Sequence, residues 1–156
     1  MNKAIKKGLS FGLISGIITT LGMVVGLDSA TQSTKVILGS IFIIAVADGL
    51  SDAFGIHVSE EADEKTSEKS VWQSTFATII SKILFALSFA IPILIFTLPV
   101  AIVVCVIWGL GLVAGFSYYV AKINKKKPYK AILEHVAITI FVIVATYFIG
   151  QLVASV

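Results

Sequence analysis

The chain has no arginine, a single cysteine, three prolines and two histidines in 156 residues, and each scarcity removes possibilities. The lone thiol, Cys105, sits in an apolar run, which excludes a disulfide framework and a thiolate metal site and leaves lipid contact or core packing. Charge is scarce as well: 13% of residues are charged and 57% are hydrophobic, with a mean hydropathy of +0.99. A soluble domain cannot hide that much apolar surface. The 12 basic residues, all lysine, give a net charge of only +3 and mostly flank apolar runs. They do not line one face with aromatics between them, which argues against a nucleic-acid partner. Too little polar chain remains for a soluble domain, so 1–156 reads as a single transmembrane domain whose partner is membrane lipid.

What the sequence does have is long apolar runs. Windows of about 20 residues, enough to cross a hydrocarbon core of roughly 30 Å, place spans near 8–27, 35–57, 71–95, 98–121 and 131–154. The opening MNKAIKK imitates a secretory leader, but the apolar run after it is long and lacks a small-residue cleavage site, so it reads as a retained first helix. The stretch 71–121 is uncharged except for Lys82 and is too long for one crossing. Pro92 and Pro99 are expected to mark the turn that divides it. The expected fold is an all-α integral membrane protein of five transmembrane helices. Lys3, Lys6 and Lys7 precede the first span, and Lys122, Lys125, Lys126, Lys127 and Lys130 lie between the fourth and fifth. By the positive-inside rule both groups are cytoplasmic, as is the acidic connector 58–70, which leaves the N-terminus inside and the C-terminus outside.

Small residues suggest how the helices meet. Gly12 and Gly16, Gly22 and Gly26, and Gly111 and Gly115 have the four-residue spacing that lets helix backbones approach closely in lipid. Ser15, Thr19, Gly22 and Gly26 share one narrow face of the first helix, which should meet another helix or a pore. Plain packing, with the hydroxyls bonded to their own backbone, is the competing reading.

The second helix carries the chemistry. Asp48 and Asp52 are four residues apart and share a face, beside the small residues Ala45, Gly49 and Gly55. An ionised carboxylate at mid-membrane costs roughly 2.5–3.5 kcal/mol on insertion scales, so the pair calls for compensation by cations, protons or water. Simple hydration near the cytoplasmic interface is the alternative for Asp52. Carboxylate and hydroxyl oxygens suit manganese or magnesium, and an imidazole such as His57 would widen the set toward iron or zinc. Two acids held close also take up protons as a coupled pair, which lets protons compete with metal. Lys82 is expected to pair with an aspartate or to snorkel. Glu134 and His135 are expected to begin the fifth helix, where an acid is stabilised by the helix dipole. Neither histidine has catalytic company at a recognisable spacing, so an enzyme is not expected.

The segments FGLISGIITTLGMVVGL (11–27) and ADGLSDAFGIHVSEEAD (47–63) resemble the paired signature of the vacuolar iron transporter family. The family's first helix carries D-G-x-x-(ST)-T, matched here from Ser15 to Thr20, followed by Gly22 and Gly26. Its second helix carries a pattern like S-M-A-x-G-E-(YF)-x-S-x-x-S-E, matched from Ser51 to Asp63. TYFIGQL (146–152) is similar to the family's last helix. The resemblance implies homodimeric export of ferrous iron or manganese from the cytosol in exchange for protons, along a path lined by the first helices at the twofold interface. No tightly bound cofactor is implied. The expected transport path is Ser15, Thr19, Asp48, Asp52 and His57, of which the resemblance supplies Ser15 and Asp52 and the helix faces the rest; Gly12, Gly16, Gly22 and Gly26 are expected to serve helix packing or dimer contact.

This sequence departs from the family at the metal-contacting positions. Ser15 replaces an aspartate, Asp52 a methionine and Ile56 a glutamate, so the acid has changed helices and the soft thioether is gone. Ligand softness then shifts preference from iron toward manganese. The alternative is a structural or assembly protein that has lost the family's ligands. The family's long glutamate-rich insert is absent, and Glu60, Glu61, Asp63, Glu64 and Glu68 are left to gather cations at the mouth or to form a solvated acidic loop. The expected location is a prokaryotic cell membrane, or a vacuolar membrane in a eukaryote.

Overall fold

A computed structural model describes residues 2–156. Six helices account for nearly all of them: α1 (Lys3–Thr31), α2 (Thr34–Glu61), α3 (Glu68–Ser88), α4 (Ala90–Ile95), α5 (Leu98–Ile123) and α6 (Pro128–Ala154), with no strand among the described residues. Five crossings are long and apolar enough to span a membrane: α1, α2, the pair α3 and α4 taken together as Glu68–Ile95, α5 and α6. Helix is the form such runs must take in lipid, because each backbone N–H and C=O finds its partner within the segment. The five expected spans and the multi-pass membrane character agree with this architecture.

Local chemistry sets the ends. Ser33 accepts a hydrogen bond from the Val36 N–H at 3.4 Å to start α2, after a left-handed Gln32 at φ 49. Ser67 caps α3 by accepting from the Ser70 N–H, with Glu68 in the first turn where the dipole favours it. At the end of α5, Lys125 takes φ 53, and the N–H groups of Lys126 and Lys125 close onto the carbonyls of Ala121 (2.9 Å) and Lys122 (3.2 Å). This is the reciprocal closure that satisfies the last carbonyls of a helix.

Three expectations need correction. The connector 58–70 begins later, because α2 stays helical through Glu61. Pro92 does not mark the turn between the third and fourth crossings. It lies inside α4, just after Phe89 interrupts the helix, since proline has no N–H to continue the ladder of α3. The reversal comes at Phe96 and Thr97, and Pro99 occupies the first turn of α5. Glu134 is not at a helix start: α6 begins at Pro128 with Lys127 as its N-cap, and no acid falls in its first turn.

The helices form two compact units, one comprising the chain up to Thr20 with Gly39–Ala90, the other Leu21–Leu38 with Ile91–Val156. In the first, α1 lies directly on α3. A Cβ on Gly12 would fall 2.2 Å from Ser81 Oγ and 2.5 Å from the Thr78 carbonyl oxygen, a separation only glycine permits. Gly16 meets Lys82 less closely, a Cβ there falling 3.0 Å from the Lys82 carbonyl oxygen. In the second, the C-terminal part of α1 lies on α6, with Gly22 against Val142 and Gly26 against Thr146. Ser29 donates to the Tyr147 carbonyl at 2.9 Å in the same seam. Both N-terminal glycine pairs therefore pack other helices of the same chain. Gly111 and Gly115 have nothing within 4 Å of a built Cβ, so the close approach expected there is not made within the chain. Cys105 is buried in the row Ala101, Cys105, Gly109, Val113 and Ser117 on α5. Large apolar side chains such as Ile43, Phe54, Leu133 and Phe141 face outward, as suits a hydrocarbon solvent.

Candidate intramembrane cation site

Three helices of the first unit converge on one cluster. From α2, the four-residue spacing brings Asp48 and Asp52 to the same face. The same spacing on α1 brings Ser15 and Thr19 opposite them, and α3 supplies Lys82. The Lys82 ammonium lies 2.5 Å from Asp48 Oδ2, is in direct contact with Asp52 Oδ2, and donates to Ser15 Oγ at 2.9 Å. The ammonium therefore donates hydrogen bonds to Ser15 and Asp52 and forms an ion pair with Asp48. Ser15 passes its own hydrogen to Asp52 Oδ2 at 2.6 Å. Thr19 Oγ1 lies 3.0 Å from Asp48 Oδ2 and 2.8 Å from the Ser15 carbonyl, sharing one hydrogen between a carboxylate oxygen and its own helix backbone. The hydroxyl of Thr19 thus meets a neighbouring helix and bonds its own backbone at once.

Burial is uneven across the cluster. The Lys82 side chain is 1% exposed, whereas those of Asp48 and Asp52 are 30% and 21% exposed. The lysine seals the inner side, and the acids keep an accessible edge. Lys82 does not snorkel; its short route to the acids runs over Gly16, where a Cβ would lie 3.2 Å from Lys82 Cγ.

The other expected residues lie elsewhere. His57 turns toward α3: its Nδ1 is 3.0 Å from Thr75 Oγ1, and its ring meets the Trp72 indole edge-on at 4.6 Å. It does not join the acid pair. Glu60 is buried at the end of α2 and pairs with Lys7 of α1. Both line a polar cavity of about 490 Å³ together with Asp63, Lys65, Ser67 and Ser70. Glu61 and Glu64 are exposed and do not line it, and Asp63 Oδ1 accepts the Lys65 N–H at 3.0 Å as a turn cap. Sequence reasoning did not anticipate the Lys7–Glu60 pair. The available signal was the helical spacing that puts Glu60 on the same face as Asp52, two turns further on.

Among the described residues no group of three or more His, Cys, Asp and Glu side chains gathers in a metal-binding cluster. The donor set at the cluster is two carboxylates and two hydroxyls, all hard oxygen. A divalent cation held there would keep water in its remaining positions. The described residues form an all-helical protein with five helical stretches long and apolar enough to cross a membrane, and with an acid–lysine cluster between three helices whose lysine is buried and whose acids are partly exposed. No family model matches the chain, and no curated protein matches it.

Proposed function

We propose that the chain is a transporter that exports a divalent cation, manganous or ferrous, from the cytosol in exchange for protons, with Asp48 and Asp52 as the oxygen ligands of the cation in transit. The observation that carries this reading is a pair of partly accessible carboxylates inside an apolar helix, already holding one cation, the Lys82 ammonium. The choice of manganese or iron as cargo rests on the resemblance of segments 11–27 and 47–63 to the vacuolar iron transporters. With His57 turned away, the donor set is harder than the sequence suggests, which favours manganese over iron.

The lysine pattern orients the N-terminus and the α5–α6 loop to the cytoplasm and the C-terminus outside, in a prokaryotic cell membrane or, in a eukaryote, a vacuolar one. A homodimer fits the accessible edges of Asp48 and Asp52, because lipid is a poor neighbour for a carboxylate and a second protomer can enclose a wet path. Binding and transport suit the polar groups better than catalysis does. Ser117 and His135 are 2.8 Å apart, but Ser117 gives its hydrogen to the Val113 carbonyl at 2.6 Å and so accepts from the imidazole. A serine in that role is not an activated nucleophile.

The test is flux of Mn²⁺ and Fe²⁺ into proteoliposomes with and without a pH gradient. Asp48→Asn and Asp52→Asn are each expected to lower the flux by about tenfold or more, the scale of a lost charged contact. Wild-type flux in both variants would sink the site. One observation favours a second reading, a non-transporting membrane subunit: Lys82 compensates both acids as a helix lock would. Absence of flux in the wild type, with normal folding when all three charges are removed together, would select it.

A further inference from the structure

The ammonium of Lys82 is held by the same oxygens that the transporter reading gives to the cation in transit. Its three oxygen partners come from two different helices, Ser15 of α1 and both acids of α2, while the cation arrives on a tether from a third. The cluster carries two negative charges and one positive, a formal balance of −1. A cation approaching the accessible edges of the acids therefore meets carboxylates whose charge is already half compensated, and it feels the ammonium behind them. Without the lysine, a site emptied of cargo would leave two bare carboxylates in the membrane span, each costing roughly 2.5–3.5 kcal/mol.

Resting on the transporter reading above, we infer that Lys82 is a tethered competitor for the cargo. Its ammonium fills the oxygen cage of Ser15, Asp48 and Asp52 when cargo is absent and yields the cage when cargo binds. The lysine weakens binding and speeds release, and it stabilises the empty carrier for its return. Gly16 keeps the tether's path clear, since Lys82 Cγ and the Lys82 carbonyl oxygen lie 3.2 and 3.0 Å from where a Cβ would stand. The role is one of selectivity and turnover. A cargo cation must outbid an ammonium for the same oxygens, which favours a divalent ion over a monovalent one.

The experiment measures Mn²⁺ affinity of the purified full chain in detergent, by loss of the free Mn²⁺ electron-resonance signal, alongside Mn²⁺ turnover in proteoliposomes. Lys82→Met, which keeps the stem and removes the charge, is expected to bind Mn²⁺ at least about tenfold more tightly and to turn over more slowly. Lys82→Arg, which keeps the charge, is expected to stay near wild-type affinity or below it. Equal or weaker Mn²⁺ binding in Lys82→Met overturns the inference. If that variant aggregates, Lys82→Gln gives the same reading: tighter binding supports the inference, and unchanged or weaker binding overturns it. Asp48→Asn and Asp52→Asn separate the two levels. If they lose Mn²⁺ while Lys82→Met leaves affinity unchanged, only the competitor fails. If they bind Mn²⁺ as the wild type does, the cation site itself fails and the competitor with it.

Discussion

Lys82 decides what the two acids are. Read along α2 alone, Asp48 and Asp52 are two carboxylates that repel and need outside compensation; in the folded chain they share one ammonium. A double variant should expose that dependence. Asp48→Asn with Asp52→Asn leaves a lysine that is 1% exposed with no counter-ion, and breaking a buried pair on one side costs about 3–5 kcal/mol. Thermal unfolding in detergent should show a large drop in midpoint. Adding Lys82→Met to the same chain should recover most of it, because a fully neutral cluster of similar volume is often no less stable than the ion pairs. A double variant as stable as the wild type would mean that the cluster contributes nothing to packing. At this scale the sequence was half legible. The acids were visible because charge in an apolar run stands out, and Lys82 was visible for the same reason. Which oxygens it reaches was not visible, because that depends on the rotation of α3 against α1, set by contacts far apart in sequence. His57 shows the same limit, since it was expected beside the acids and Thr75 and Trp72 of α3 hold it elsewhere.

The helices themselves were largely written in the apolar runs, whose length and caps follow from local chemistry. What could not be read was which glycine meets which neighbour. Gly12, Gly16, Gly22 and Gly26 look alike in sequence, yet the first two seat α3 and the last two seat α6, while Gly111 and Gly115 of the same spacing seat nothing within the chain. The turn expected at Pro92 was likewise misplaced, because that proline goes with the helix break at Phe89 before it and the turn follows at Phe96 and Thr97. The α1–α3 seam makes a direct prediction. Gly12→Val should lower the unfolding midpoint in detergent, since its Cβ would overlap Ser81 Oγ and the Thr78 carbonyl, and overpacking costs about 1–3 kcal/mol. Gly55→Ala, at a site with nothing within 4 Å, should leave the midpoint unchanged or raise it slightly. Equal effects at the two positions would contradict the seam.

For the whole molecule, the tether on Lys82 has an electrical consequence. On the transporter reading proposed above, the ammonium, bound covalently to α3, cannot leave with the cargo, and a divalent ion would cross the membrane with both of its charges uncompensated. Moving one elementary charge against 100 mV costs about 2.3 kcal/mol, hence about 4.6 kcal/mol for a divalent ion. An exporter of this design works against an inside-negative voltage and slows as that voltage grows, unless two protons return for each ion that leaves. Liposomes clamped with potassium and valinomycin should show outward Mn²⁺ flux falling as the cytoplasmic side is made more negative. A flux indifferent to voltage in the absence of a pH gradient would mean that some other charge travels with the metal. The chain would then be an electroneutral carrier, and a cell with a collapsed membrane potential would still shed its manganese at the full rate.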